Sequence, residues 1–267
     1  MPIRLAVNGA AGRMGRRIVA LCAEDDRFAL VAALDAPTSP MLGRDAGEVA
    51  GIGRSGVPLT DRPAVPFDVL VDFSTAAALP GALTLCVEAL RPLVVGTTGH
   101  DDAAREALRS AAGRIAVLHA ANMSMGVNVL LGAVERLAAA LGDDFDVEII
   151  EAHHRLKADA PSGTALALRD AVLRGRGTAG GDVVYGRHGL GPPRPRGQIG
   201  IHAVRGGDVV GEHEVRFVAM GETVSVRHTA HTRETFARGA LAAAAWIVGR
   251  PPGLYSMQDV RTPPSPT

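Results

Sequence analysis

The chain has 267 residues and a mass of 27.6 kDa, enough for one large domain or two modest ones. Its 47% hydrophobic residues can fill a core, while 28 basic against 28 acidic residues and only 3% aromatics argue against a nucleic-acid partner. Two cysteines, Cys22 and Cys86, exclude a disulfide framework or a four-cysteine zinc site; without an 18-residue apolar run or a signal-peptide layout, the expectation is a cytoplasmic protein with no membrane partner.

The first third alternates short apolar runs with helical spacing. Strands are expected at Ile3 to Val7, Phe28 to Leu34, Phe67 to Phe73, Leu93 to Val95 and Ile115 to Leu118. Helices are expected at Arg13 to Ala23, Ala76 to Leu90 and Asp101 to Ala112. Such βαβ repetition implies a parallel sheet, which binds ligands at the carboxyl ends of its strands. The pattern then changes. A long apolar helix, Val127 to Leu141, precedes a strand at Asp146 to Glu151 and a helix at Ser162 to Leu173. Residues 174 to 198, rich in Gly, Pro and Arg, read as a loop that is either mobile or an anion-binding patch. Three strands follow at Ile199 to Val204, Val209 to Val218 and Thr223 to Thr229, with Gly206-Gly207 as a hairpin turn. These elements read as a separate α+β domain with a mixed sheet. Glu234 to Val248 is a helix apolar on nearly every face, ended by Gly249 and Pro251, and the tail from Thr262 reads as disordered.

Gly9-Ala10-Ala11-Gly12-Arg13-Met14-Gly15 joins the first strand to the first helix with G-x-x-G-x-x-G spacing. A glycine turn lets backbone approach a pyrophosphate, and the helix N-terminus offers amide donors. Asp35 closes the second strand 20 residues beyond Gly15, placed to accept hydrogen bonds from ribose hydroxyls. Together these mark a Rossmann-like dinucleotide domain. Asp35 disfavours a 2′-phosphate and Ala36-Pro37-Thr38 offers no cation for one, so the reading leans to NADH over NADPH, with Arg13 as the one nearby cation. Gly96-Thr97-Thr98-Gly99 and Ala120-Ala121-Asn122-Met123 end the fourth and fifth strands, where a nicotinamide ring belongs.

The densest polar stretch runs from Glu151 to Ala165. It holds His153, His154 and Lys157, and then Pro161-Ser162-Gly163-Thr164, a helix start whose amides are expected to face outward toward a carboxylate or phosphate. Of the 28 basic residues, every one but Lys157 is arginine. Either codon drift has left one survivor, or an ammonium is kept there for a transferable proton, which a guanidinium does not supply; the neighbourhood of Lys157 decides between the two. Three other readings compete: a metal site built on the His-His pair, which lacks H-E-x-x-H spacing; a solvated loop; and Ser162 as a nucleophile, which lacks a G-x-S-x-G elbow. A positive pocket for a small anion, without metal, accounts best for the stretch. A cysteine-dependent reductase is disfavoured because Cys22 and Cys86 fall in predicted helices far from it, and a redox sensor has no need of the cluster.

With both constellations in view, the chain resembles the dihydrodipicolinate reductase family over nearly its whole length. The resemblance rests on the glycine loop, Val71-Asp-Phe-Ser74, Gly96-Thr-Thr-Gly99, Asn122 to Asn128, Glu151 to Ala165 and Gly211-Glu-His213. It implies reduction of 4-hydroxy-tetrahydrodipicolinate, by way of dihydrodipicolinate, to tetrahydrodipicolinate with NADH or NADPH, on the route to diaminopimelate and lysine. It implies a homotetramer assembled through central sheets, and a small dicarboxylate as the substrate. The cofactor domain would comprise residues 1–124 and 234–267, and residues 125–233 the substrate and tetramerisation domain, with hinges near Ser124 to Val127 and Arg233 to Glu234. Carried over by position, His153 is the catalytic acid/base and Lys157 the proton donor. His154, Ser162, Gly163 and Thr164 lie at the substrate. Gly9 to Met14, Asp35, Gly96 to Thr98 and Ala120 to Met123 line the cofactor. Ala36 departs from the arginine common in the family at that position, which weakens NADP use.

Overall fold

The computed structural model describes residues 1–260; the proline-rich tail from Thr262 lies outside the described residues. Two compact units divide the chain, one made of Met1–Met125 and the segment from Glu234 onward, the other of Gly126–Arg233.

In the first unit, β1 (Ile3–Asn8), α1 (Arg13–Ala23), β2 (Phe28–Leu34), α2 (Ala46–Ala50), β3 (Leu59–Thr60), β4 (Val69–Asp72), α3 (Leu79–Ala89), β5 (Leu93–Val95), α4 (Asp102–Ala112) and β6 (Ala116–His119) follow in order. The seven-stranded sheet is parallel throughout, ordered β12-β6-β5-β4-β1-β2-β3, where β12 is a late strand, Gly253–Tyr255. Chain growth reverses at β1, with β2 on one side and β4 on the other, which opens the crevice where such sheets bind ligands. Helices cover both faces, so the strands are apolar on both. Leu5, Val7, Val69 and Val71 enter one core layer with Ile18 of α1, while Ala6, Leu70 and Leu93 enter the other with Leu83 of α3 and Leu108 of α4. Asp101 caps α4 by accepting from the Ala104 amide at 2.8 Å.

The second unit begins within α5 (Met125–Leu141) and continues through β7 (Asp146–His153), α6 (Gly163–Gly175), β8 (Val183–Tyr185), β9 (Ile199–Arg205), β10 (Gly211–Ala219) and β11 (Glu222–Ala230). Its sheet runs β11-β10-β7-β9-β8, with β10 antiparallel to both neighbours and β9 parallel to both of its own. By length and apolarity the stretch Met125–Asp144 matches a membrane span. Its stripe Val127, Leu130, Val134 and Ala138 is buried, and the last three share a core with Leu168 and Val172 of α6 and with Ile149, Ile201 and Phe217 of the sheet. The chain then returns to the first unit through α7 (Glu234–Ile247), β12 and α8 (Met257–Val260). Ala237, Ala240, Leu241 and Ile247 of α7 enter the layer that holds α1.

The α/β class and the separate mixed sheet agree with the sequence reading, and α1, β2 and β5 have the expected ends. Several elements differ. Gly206-Gly207 is not a hairpin turn, because β9 and β10 lie on opposite sides of β7; the hairpin is β10–β11, turning at Met220-Gly221. The loop over residues 174 to 198 contains β8, and its arginines form no free anion patch: Arg187 and Arg194 pair with Glu148, Arg176 with Asp143 and Arg196 with Asp144. The strand expected to stop at Glu151 carries on to His153. The short α2, β3, β12 and α8 were not foreseen.

Candidate active site

In the second unit, alternate residues of β7 face the core: Val147 and Ile149, both fully buried, then Glu151, then His153. The face that supplies the apolar core thus becomes polar at the carboxyl end of the strand. Neighbouring strands do the same. Ile201 of β9 gives way to Arg205, and Val215 of β10 to His213 and Gly211.

Glu151 is fully buried and is the hub of this end. Arg205 grips it with two bonds, Nη1 to Oε2 at 2.8 Å and Nη2 to Oε1 at 2.7 Å. The Ser162 amide donates to Oε1 at 3.0 Å, and His153 Nδ1 lies 2.6 Å from Oε2. Burial alone would raise the Glu151 carboxyl, but these partners outweigh it and hold the group below the usual carboxylate range. Sequence reasoning missed Glu151 and Arg205 because they meet across 54 residues of chain.

Burial lowers the His153 imidazole, as do Lys157 and Arg205; Glu151 opposes them without reversing the result. The His213 ring lies edge-on at 5.2 Å, and burial pushes His213 down to about 4. Its Nε2 meets Ser162 Oγ at 3.1 Å. Lys157, 22% exposed, sits in the turn after β7 with Nζ 2.8 Å from each Asp159 oxygen. His154 is half-buried in the same turn and accepts the Lys157 amide on its carbonyl at 3.1 Å.

Ser162 corrects one expectation. It is the N-cap of α6, 2% exposed, and its hydroxyl accepts from the Ala165 amide at 3.2 Å. Its own amide is committed to Glu151, so it does not face outward. Gly163 is exposed, with open space where a side chain would stand, and Thr164 is half-buried beside it.

In the first unit the predicted cofactor residues gather at the carboxyl ends of adjacent strands. Gly9 to Gly12 follow β1, Arg13 and Met14 open α1, Asp35 follows β2, Gly96 to Thr98 follow β5 and Ala120 to Met123 follow β6. Gly9 has φ +76°, and a Cβ there would stand 2.5 Å from the Phe73 carbonyl oxygen. No side chain caps α1 at Gly12, which leaves its first turn for an anion. Asp35 accepts the Ala11 amide at 3.0 Å and the Ala36 amide at 2.8 Å, tying the glycine loop to β2. These features fit a dinucleotide pyrophosphate and ribose. Ala10, Thr97 and Met123 are buried, so their side chains line no open surface. Thr97 Oγ1 donates to Asp72 Oδ2 at 2.7 Å instead.

Both halves of the chain match one family. The profile described as dihydrodipicolinate reductase, N-terminus, matches residues 3–123, and the one described as its C-terminus matches residues 126–260. The chain belongs to the dihydrodipicolinate reductase family. Among its relatives, a 4-hydroxy-tetrahydrodipicolinate reductase of Rubrobacter xylanophilus is 49% identical, across 97% of this chain and 98% of that protein. One of the same name from Alkalilimnicola ehrlichii is also 49% identical, across 97% and 99%. Among solved structures, a dipicolinate-bound dihydrodipicolinate reductase from Paenisporosarcina sp. TG-14 shares the fold with a TM-score of 0.72 at 24% identity, covering 97% of this chain and 99% of that one. As a dihydrodipicolinate reductase family member, the chain is an oxidoreductase whose Rossmann-like domain serves a nicotinamide cofactor. Cys22 and Cys86 are buried in α1 and α3, and burial raises both thiols, Cys22 to about 11, which suits neither to nucleophilic work.

Proposed function

We propose that the chain reduces 4-hydroxy-tetrahydrodipicolinate, by way of dihydrodipicolinate, to tetrahydrodipicolinate in diaminopimelate and lysine biosynthesis, the activity for which its relatives are named. The observation that carries this reading is the polar end of the central sheet, where His153, Lys157 and the open start of α6 lie together. The Gly163 amide and Thr164 bind one carboxylate of a small dicarboxylate at the helix N-terminus. His154 and Lys157 flank it. A nicotinamide held by the glycine loop and the ends of β5 and β6 would supply the hydride that the ring carbon conjugated with the C=N bond accepts. Lys157 Nζ stabilises the negative charge that develops and then delivers the balancing proton. His153, held neutral by burial, acts earlier, in the loss of water from the 4-hydroxy substrate: its Nε2 takes the proton from the ring carbon beside the C=N bond and passes it to the departing 4-hydroxyl, which leaves as water.

In the cofactor unit, Gly9 to Met14 cradle the pyrophosphate and Asp35 takes the ribose hydroxyls. Gly96 to Thr98 and Ala120 to Met123 offer backbone to the nicotinamide end. Asp35, followed by exposed Ala36, favours NADH at least equally. We further propose a homotetramer in the cytoplasm, assembled through the open face of the central sheet, which carries half-buried Ile150 and exposed Val204.

The test is oxidation of NADH and NADPH by the purified protein with enzymatically generated 4-hydroxy-tetrahydrodipicolinate. Turnover is expected, with kcat/KM for NADH equal to or above that for NADPH. A preference for NADPH beyond about tenfold, roughly 1.4 kcal/mol, overturns the cofactor assignment. Absence of turnover with either overturns the function. Light scattering after size exclusion should give four subunits; a monomer removes the tetramer.

A further inference from the structure

Glu151 lies beyond the roles assigned so far. A fully buried carboxylate is costly unless its charge is matched and its lone pairs are answered. Here the match comes from β9 as a two-bond Arg205 fork, and the Ser162 amide adds a third donor. Arginine and a backbone amide only donate, so they keep Glu151 an ionised acceptor. The fourth partner, His153 Nδ1 at 2.6 Å, must therefore donate as well. A neutral imidazole carries one ring proton. With that proton on Nδ1, Nε2 is left with a bare lone pair.

The surroundings suit this form. His153 Nε2 makes no hydrogen bond among the described residues. It lies over Gly211 of β10, where an added Cβ would come within 3.1 Å of it. The titratable groups facing the ring are Glu151 on its own strand, Arg205 on β9, His213 on β10 and Lys157 in the following turn. Among the described residues, only Glu151 is an acceptor within reach of Nδ1. Arg205 Nη2 also holds the Asp159 carbonyl at 2.6 Å, and the Asp159 side chain holds Lys157. One buried carboxylate therefore anchors the imidazole, the start of α6 and the segment that carries the ammonium.

We propose that Glu151, clamped by Arg205, is a positioning residue that fixes His153 in the Nδ1–H tautomer and so presents Nε2 to take the proton that the ring carbon beside the C=N bond loses and to pass it to the departing 4-hydroxyl, which leaves as water. The proposal rests on the reading that His153 meets the substrate, and the experiment separates the two. Nitrogen-15 NMR of histidine-labelled protein, with the signal assigned through His153→Gln, reads the tautomer without substrate. The wild type should show the Nδ1–H form at neutral pH. In Glu151→Gln the side-chain oxygen still accepts from Ser162 and Arg205, while its NH2 donates to Nδ1. The imidazole should then switch to Nε2–H. Turnover should fall by roughly 10²-fold or more, with KM changed far less, since binding groups are untouched. The acid limb of the kcat profile should move to lower pH, because the carboxylate that favours the imidazolium is gone. Glu151→Asp, which keeps the charge, should retain the wild-type tautomer and recover part of kcat.

A wild type in the Nε2–H form overturns the proposal, even if Glu151→Gln fails to fold. So does a folded Glu151→Gln protein that keeps Nδ1–H, or one that switches tautomer with kcat unchanged. Should the tautomer switch as expected while His153→Gln remains fully active, the role of His153 itself fails instead.

Discussion

Lys157 is the only lysine in the chain, and its Nζ rests between the two Asp159 oxygens. An arginine there could keep the ion pair and the positive charge but could not release a proton at working pH. Lys157→Arg is thus expected to lower kcat by roughly 10² to 10⁴, nearly as far as Lys157→Ala, in a steady-state assay. NADH affinity, read by fluorescence, should hardly change. An active arginine variant would reduce Lys157 to an electrostatic anchor. A second residue-scale consequence concerns acid. His213 is 4% exposed, and its folded-state pKa is pushed from 6.5 down to about 4. As pH falls through this interval the unfolded chain binds a proton that the folded chain refuses. Stability should therefore drop by up to about 3 kcal/mol, with no further loss from this group at lower pH. Urea unfolding midpoints near pH 7.5 and pH 5 measure the drop. His213→Gln should flatten that part of the slope; an unchanged slope would show that other groups carry it.

Between residues and the whole chain stand the strand ends. Asp72, fully buried, accepts Asn8 Nδ2 at 2.7 Å, Ser74 Oγ at 2.6 Å and Thr97 Oγ1 at 2.7 Å, joining the ends of β1, β4 and β5. Removing it as Asp72→Ala strands three donors and should cost about 3 kcal/mol, seen as a lower urea midpoint; Asp72→Asn, which keeps the volume, should cost about 1 kcal/mol. Equal midpoints for both variants would mean that water replaces the carboxylate. The same element scale explains what the sequence could and could not reveal. Phe28–Leu34 and Arg13–Ala23 were legible because an apolar strand buried on both faces and an amphipathic helix each carry their own period. Val183–Tyr185 and Gly253–Tyr255 were not, since three-residue edge strands hold too few residues for any period and exist through pairing with β9 and β6. The false hairpin at Gly206-Gly207 has a similar origin. Two glycines report a turn, but not that β7, formed far earlier in the chain, lies between the strands they join. Within the site, His153 and Lys157 stood out by residue type alone. Glu151 did not, because its meaning lies in Arg205 from another strand and in an amide from α6.

At the scale of the molecule, the central unit is one uninterrupted stretch, Gly126–Arg233, whereas the cofactor unit is made from both ends of the chain. Ala237, Ala240, Leu241, Ala244 and Ile247 of α7 fill a core layer shared with Ile18 of α1 and Val71 of β4. β12 extends the parallel sheet beside β6. On a ribosome this layout reverses the usual order, in which the N-terminal domain folds first. β1 through β6 emerge early but lack a helix of their core until the segment beyond Arg233 has been made. The central unit, with its core supplied locally, can fold while they wait. A stalled chain ending at Arg233 should then hold a protease-resistant segment near residues 126–233, preceded by a sensitive one. The cofactor unit would become resistant only once α7 and β12 are out, so the capacity to bind a nicotinamide cofactor would be gained after the central unit has folded rather than before it.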